Sequence, residues 1–159
     1  MIYILFGTPA VGKNFVGEIL KEDFDFHFYD ADVDLPPEMR AIIANQGIFT
    51  QEMRDKYFKK IIEKLTILEE RYPNIVMAQA LAKEKNRIQI ISSFPQAKFL
   101  WVKAEVNNIN LRLAKRNDWV TIKYAEKIRK IFEPPLHQHK IIDNNVDKQH
   151  VLRQLEELF

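Results

Sequence analysis

Two glycines and a lysine, set between an apolar run and a helical pattern, constrain this chain more than any other feature. The run is Ile2-Tyr3-Ile4-Leu5-Phe6 and the loop is Gly7-Thr8-Pro9-Ala10-Val11-Gly12-Lys13-Asn14; Val16, Ile19 and Leu20 then recur at i, i+3 and i+4. The run reads as a buried strand and the recurrence as a helix. A strand, a glycine-bounded loop ending in Gly-Lys, then a helix is the context in which a loop wraps phosphate. Gly7 and Gly12 permit backbone angles and close approaches that a side chain would block. Such a loop turns several N–H groups inward, and the helix opening near Gly12 adds the positive end of its dipole. Lys13 places a mobile ammonium on the outer phosphates. The expected nucleotide-binding set is therefore Gly7, Ala10, Val11, Gly12, Lys13, Asn14 and Phe15, holding a nucleoside triphosphate such as ATP.

The residue after the lysine in such loops is normally Ser or Thr, whose hydroxyl ligates Mg²⁺. Here it is Asn14. An amide oxygen is also a hard ligand for Mg²⁺, directly or through water. Asn14 is accordingly a candidate metal ligand.

Bulk composition narrows the remaining choices. The chain has 159 residues, 47% hydrophobic and 29% charged, which is ordinary globular composition and long enough for one sizeable core. We expect a single domain over 1–159. The 24 basic and 22 acidic residues nearly cancel, to +2. That balance argues against nucleic acid as the main partner and against a polybasic membrane patch. The absence of cysteine excludes disulfides and thiolate chemistry. No segment has the length of a transmembrane helix, and Met1-Ile2-Tyr3-Ile4 lacks the pattern of a signal peptide, so a soluble cytoplasmic protein is expected. The oligomeric state stays open, a homodimer included.

Apolar runs alternate with helical patterns along the chain. Strands are expected at 2–6, 26–29, 75–78, 98–103 and 139–142. Helices are expected at 12–22, 37–46, from Thr50 to Arg71, and at 80–93, 106–117, 121–132 and 147–158. Thr50 is the expected N-cap of the long helix. Its buried face would be Phe58, Ile61, Ile62, Leu65 and Leu68. Strands alternating with helices predict an α/β fold with a parallel sheet covered on both faces. Ligands of such sheets bind at the carboxyl ends of the strands.

That rule selects the groups able to meet the phosphates. Asp30-Ala31-Asp32 follows the second strand and offers two carboxylates. One would hold a magnesium water and the other would accept the proton of a substrate hydroxyl. Arg54, early in the long helix, would place positive charge near an anionic substrate. Arg112 and Arg116, one helical turn apart, precede the loop Asn117-Asp118-Trp119-Val120-Thr121 and suit charge stabilisation on a transferring phosphoryl group. Trp119 would pack on the closed site or anchor that loop. His137 and His139 read as surface residues with no third metal ligand.

Taken in order, these features resemble the gluconate kinase family of small P-loop carbohydrate kinases, close to shikimate kinases. The likeness runs over most of the chain. Asp30-Ala31-Asp32-Val33-Asp34-Leu35-Pro36-Pro37-Glu38-Met39 is similar to the family's Asp-Gly-Asp-Asp-Leu-His-Pro-Pro-Glu-Asn stretch. Gly47 to Arg54 resembles its Gly-x-Pro-Leu-x-Asp-x-Asp-Arg segment, one residue shorter. Arg112-Leu113-Ala114-Lys115-Arg116-Asn117-Asp118-Trp119-Val120 resembles Arg-Leu-x-x-Arg-x-x-His-Phe-Met, and Ile128 to Glu133-Pro134 resembles the following helix.

The resemblance implies a P-loop kinase-like three-layer sandwich with a five-stranded parallel sheet and a mobile lid at about 116–126. It implies ATP and Mg²⁺, and transfer of the γ-phosphoryl group to a hydroxyl of a small carbohydrate such as a sugar acid. Catalysis would fall to Lys13, Asp32 and Arg112. Asp30 would face magnesium with Asn14. Asp32, Arg54 and Gln79 would meet the substrate. Arg112, Arg116 and Asn144 would serve the nucleotide. Four departures are visible: Asn14 at the magnesium hydroxyl, Leu35 at a substrate-region His, Gln79 and Ala82 at a Ser and a Lys, and Asp118 at the lid His. Nucleotide-side features survive better than sugar-side ones. A nucleoside or nucleotide kinase, and a degenerate kinase acting as a nucleotide-binding regulator, remain the alternative readings.

Overall fold

The computed structural model describes residues 1–116 and 120–159. Its centre is β1 (Ile2–Phe6), buried at every position. Four strands join it: β2 (His27–Asp30), β3 (Ile75–Ala78), β4 (Lys98–Lys103) and β5 (Lys140–Asp143), in the order β2-β3-β1-β4-β5, with every pair parallel. Helices α1 (Lys13–Phe24), α2 (Pro37–Ala44), α3 (Gln51–Glu69), α4 (Glu84–Ser93), α5 (Val106–Lys115), α6 (Ile122–Ile131) and α7 (Lys148–Glu156) make the connections and the C-terminal segment. This is the expected α/β architecture, a P-loop kinase-like fold on a five-stranded parallel sheet.

Neighbouring residues of β1 point to opposite faces of the sheet, which identifies the three layers. The Tyr3 ring packs on Phe26 and Phe159, and Phe159 in turn meets Phe24 at the end of α1. The Phe6 ring lies under the guanidinium of Arg87 from α4 and beside Phe132 after α6. So α1 and the C-terminal segment cover one face, and α4 and the residues after α6 cover the other.

Register levels the strand ends. Asp30 is opposite Ala78, and Ala78 is opposite Leu5. The chain therefore leaves β1 at Gly7, β2 at Ala31 and β3 at Gln79 from one edge. The connections from β1 and β3 then run to opposite sides of the sheet, which makes the β1–β3 boundary the switch point where such folds bind ligands. Backbone hydrogen bonds tie this boundary: Gly7 N–H to Ala80 C=O at 3.3 Å and Gln79 N–H to Leu5 C=O at 3.1 Å.

Caps explain several helix starts. Thr50 accepts from the Met53 N–H, Thr121 from the Tyr124 N–H and Asp147 from the His150 N–H, each satisfying one orphan donor of a first turn. Element boundaries fall close to the expected ones, with two differences. The helix expected from residue 80 begins at Glu84. Leu81 adopts φ 47, and the carbonyls of Ala80 and Ala82 accept from Gly7 and Glu133, so this stretch is held to its neighbours rather than to a helical turn. After β2, Ala31–Asp34 forms a short 3₁₀ helix capped by Asp30. No helix among the described residues is long and apolar enough to cross a membrane.

Candidate active site

The loop after β1 takes the shape its glycines allow. Gly7, Ala10 and Gly12 have φ of 152, 64 and 96. A Cβ on Gly7 would lie 2.5 Å from the Val102 carbonyl oxygen, and one on Gly12 would lie 2.0 Å from Asn144 Nδ2. Both glycines are thus demanded by backbone angle and by space. Gly12 caps α1 without a side-chain acceptor, so the first N–H groups of that helix stay available to an anion.

Lys13 folds back across the loop, donating to the Gly7 and Thr8 carbonyls at 3.0 Å each. Burial lowers its pKa to about 8, against the opposing pull of Asp32 and Asp30, and Arg116 lowers it further. A phosphate would replace those two carbonyls as its partner and restore the favourable charge.

The two carboxylates after β2 differ in environment. Asp30 Oδ1 accepts from the Asp32 N–H at 3.0 Å, and Asp30 Oδ2 accepts from the Asn14 amide at 2.7 Å. Asp32 points into the cavity, where Gln79 donates to its Oδ1 at 2.8 Å. Burial, reinforced by the nearby Asp30 charge, holds the Asp32 carboxyl above the usual carboxylate range, while Lys13 and the Gln79 hydrogen bond pull it down. A carboxylate moved towards neutrality is a better proton acceptor than a free one.

Gln79 also donates to the Tyr57 hydroxyl at 3.0 Å, and Tyr57 donates to the Ala31 carbonyl at 2.5 Å. Tyr57 also lines this cavity, and pattern reading missed it. Its signal was position: it lies three residues after Arg54 on α3, on the same helix face. Arg40 was missed as well. It binds the carbonyls of Asp32, Val33 and Leu35 and so clamps the 3₁₀ turn that carries Asp32.

Across the cavity, Arg112 of α5 reaches back to the loop after β1. Its Nη1 donates to the carbonyls of Ala10 and Val11 at 3.3 and 3.2 Å, and its Nη2 donates to that of Asn144 at 2.5 Å. The Asn144 amide donates to Val11 C=O at 2.9 Å. One cavity of 520 Å³ brings together Ala10, Gly12, Lys13, Asn14, Phe15, Asp32, Arg54, Gln79, Arg112 and Arg116. Gly7, Val11, Asp30 and Asn144 do not line it but accept hydrogen bonds from residues that do: Gly7 from Lys13, Val11 and Asn144 from Arg112, and Asp30 from Asn14.

Some sequence expectations need correction or stay outside this description. Arg54 lines the cavity and is buried, with Nη1 donating to Phe49 C=O at 2.8 Å. His137 is no surface residue. Its ring packs 4.4 Å from that of Phe99, and its Nδ1 lies 2.9 Å from Glu84. Asn117, Asp118 and Trp119, the heart of the expected lid, lie outside the described residues, and Ile122 onward belongs to α6.

The fold has solved counterparts. A sugar kinase from Janibacter sp. HTCC2649 superposes with a TM-score of 0.86 at 17% identity, covering 99% of this chain and 93% of that one. A gluconokinase from Sinorhizobium meliloti 1021 gives 0.78 at 19%, covering 98% and 94%. A deoxyadenosine kinase from M. mycoides with bound dATP gives 0.64 at 13%, covering 99% of both chains. At these identities the likeness is one of fold. No protein-family model and no curated protein sequence matches the chain.

Proposed function

We propose that residues 1–159 act as one ATP-dependent phosphotransferase domain, with 116–126 as its lid, moving the γ-phosphoryl group of ATP to a hydroxyl of a small molecule. The observation that carries this reading is the juxtaposition of Lys13 and Asp32 in one cavity, with the phosphate loop on one side and a pocket on the other. Kinase names among the structural counterparts support it.

The loop N–H groups, Lys13 and the positive end of α1 hold the phosphates. Arg112, anchored on the loop, stiffens it and adds positive charge beside it. Asp32 takes the proton of the acceptor hydroxyl as its oxygen bonds to the γ-phosphorus. The bond from that phosphorus to the β,γ-bridging oxygen breaks, and the products are a phosphate monoester and ADP. Asn14 and Asp30 fit Mg²⁺. Both Asp30 oxygens keep a lone pair beyond their one hydrogen bond, the Asn14 carbonyl oxygen is not used in binding Asp30, and Mg²⁺ completes its shell with water and phosphate oxygens. When bound it supplies neutralisation of the phosphate charge.

The acceptor suggested by the resemblance is a sugar acid, with Arg54 on its carboxylate. A nucleoside acceptor draws support from the rings of Phe49, Tyr57 and Phe58 around the cavity. The reading predicts that ADP release from ATP, with Mg²⁺ present, is stimulated by one class in a panel of sugar acids, sugars, hydroxy acids and nucleosides. Tight ATP binding with no stimulation by any class would favour a nucleotide-binding regulator instead. A soluble cytoplasmic protein, not engaged with nucleic acid or membrane, agrees with the balanced charge.

A further inference from the structure

Asn14 and Asp30 meet because a helical and a strand periodicity coincide. A Cβ on Gly17 of α1 would lie 2.4 Å from Cε2 of Phe28 in β2, so the glycine lets helix and strand approach to contact. Asn14 stands three residues before Gly17, on the same face of the helix. Asp30 stands two residues after Phe28, on the same face of the strand. The close approach carries the Asn14 side chain to Asp30, where Nδ2 donates to Oδ2 at 2.7 Å.

A carboxylate only accepts, so the N–H end of the Asn14 amide faces Asp30 and its carbonyl Oδ1 faces away. That Oδ1 makes no hydrogen bond among the described residues. Asn14 lines the cavity beside Lys13, whereas Asp30 does not. Asp30 is further committed through its other oxygen, which accepts from the Asp32 N–H at 3.0 Å and caps the turn after β2. A Ser or Thr hydroxyl at position 14 would put donor and acceptor on one oxygen. The carboxamide separates them, the donor towards Asp30 and the acceptor open to a hard cation.

We infer that Asn14 Oδ1 is the ligand this chain offers to Mg²⁺, and that Asp30 is a positioning residue that sets the flip of the Asn14 amide rather than binding the ion itself. This rests on the phosphotransferase reading and divides the metal role between the two residues. An outer partner that orients a metal ligand is worth about 10–100-fold in metal affinity. Asp30→Asn keeps the size of the side chain and an acceptor for the Asp32 N–H, but sets an amide N–H against Asn14. The Asn14 amide must then turn its oxygen towards residue 30, which leaves its own N–H facing the ion.

The test is the gain in ATP affinity that Mg²⁺ brings, measured by calorimetry on the full chain with Mg²⁺ and with EDTA. In the unaltered protein Mg²⁺ should strengthen binding. Asp30→Asn should cut that gain about tenfold. Asn14→Ala should cut it as much, and the two together should cut it no further, because Asp30 acts through Asn14. If either variant folds poorly, NMR of the isotope-labelled unaltered protein decides: the Asn14 Nδ2 proton held by Asp30 should keep its downfield shift when Mg²⁺ and ATP are added. A double variant weaker than either single one by about threefold or more makes Asp30 an independent ligand and overturns the inference. So does a gain untouched by Asp30→Asn, an equal loss of ATP affinity in EDTA (the mark of a merely structural role), loss of the Asn14–Asp30 hydrogen bond on adding Mg²⁺ and ATP, or ATP binding indifferent to Mg²⁺. Failure to bind ATP with or without Mg²⁺ overturns the phosphotransferase reading itself, and the two failures are thereby distinguished.

Discussion

A carboxamide N–H of Gln79 meets Asp32 Oδ1 at 2.8 Å across 47 positions of sequence, joining the end of β3 to the turn after β2. Register makes the meeting possible, because Asp30 and Ala78 sit opposite each other in the sheet. The bond favours the charged form of a carboxyl that burial pushes towards neutrality.

Gln79→Leu should therefore raise the Asp32 pKa further. If Asp32 must be ionised to accept the hydroxyl proton, the acidic limb of kcat moves to higher pH, by about one unit for a hydrogen bond to a charged group. On the acidic limb itself turnover should fall about tenfold, with ATP affinity unchanged. A pH–rate profile beside ATP calorimetry checks both, and an unmoved limb would remove Gln79 from any role in setting Asp32.

Lys13 gives a pH dependence of the opposite sense. Its free-state pKa of about 8 lies below the usual lysine value because it is buried, and ATP phosphates beside it should raise that value. Below pH 8 the ammonium is already formed and affinity is flat. Above it, binding must take up a proton, so ATP affinity falls as pH rises. Calorimetry in buffers of different ionisation enthalpy should show proton uptake near pH 8.5 and little near pH 6.5. Lys13→Met should abolish this uptake and lower turnover by about 10²–10³, the scale for losing a donor that serves the transition state.

Gly12 and Asn144 test the loop's packing. Gly12→Ala puts a methyl 2.0 Å from Asn144 Nδ2 at φ 96, and should destabilise by about 2–4 kcal/mol through clash and strain together. Adding Asn144→Ala should recover the clash and leave the strain. Urea unfolding of the single and double variants measures the split; equal stabilities would mean that Asn144 does not press on the loop.

Arg87 is a stability residue hidden in the sequence as an ordinary helix charge. It is fully buried, stacked between Phe6 and Phe132 at 5.0 and 4.9 Å, and bonded to Glu84, Leu81 C=O and Glu133 C=O. Arg87→Met strips these acceptors of their donor and should cost about 3–5 kcal/mol. Arg87→Lys should recover only part, since one ammonium cannot copy the fork. Denaturant midpoints of both variants decide it.

The strand, loop and helix around Lys13 were legible from residue order because the signals are local. A period of apolar residues names the element, and a glycine names a backbone angle within one or two positions. The same holds for Thr50 as a cap and for the alternation that implies a parallel sheet. Local signals misplaced the start of α4, where distant backbone groups draw residues 80–83 out of the helix.

What only the tertiary structure decided is which side chains share the cavity and what they face. That Arg54 is buried, that Tyr57 and Gln79 support Asp32, that Leu35, Met39 and Ile43 give the pocket hydrocarbon walls, and that His137 packs under Phe99 all depend on strand order and helix docking. These contacts join positions tens of residues apart. Burial and partner follow from where the chain returns, and no spacing within one segment records that.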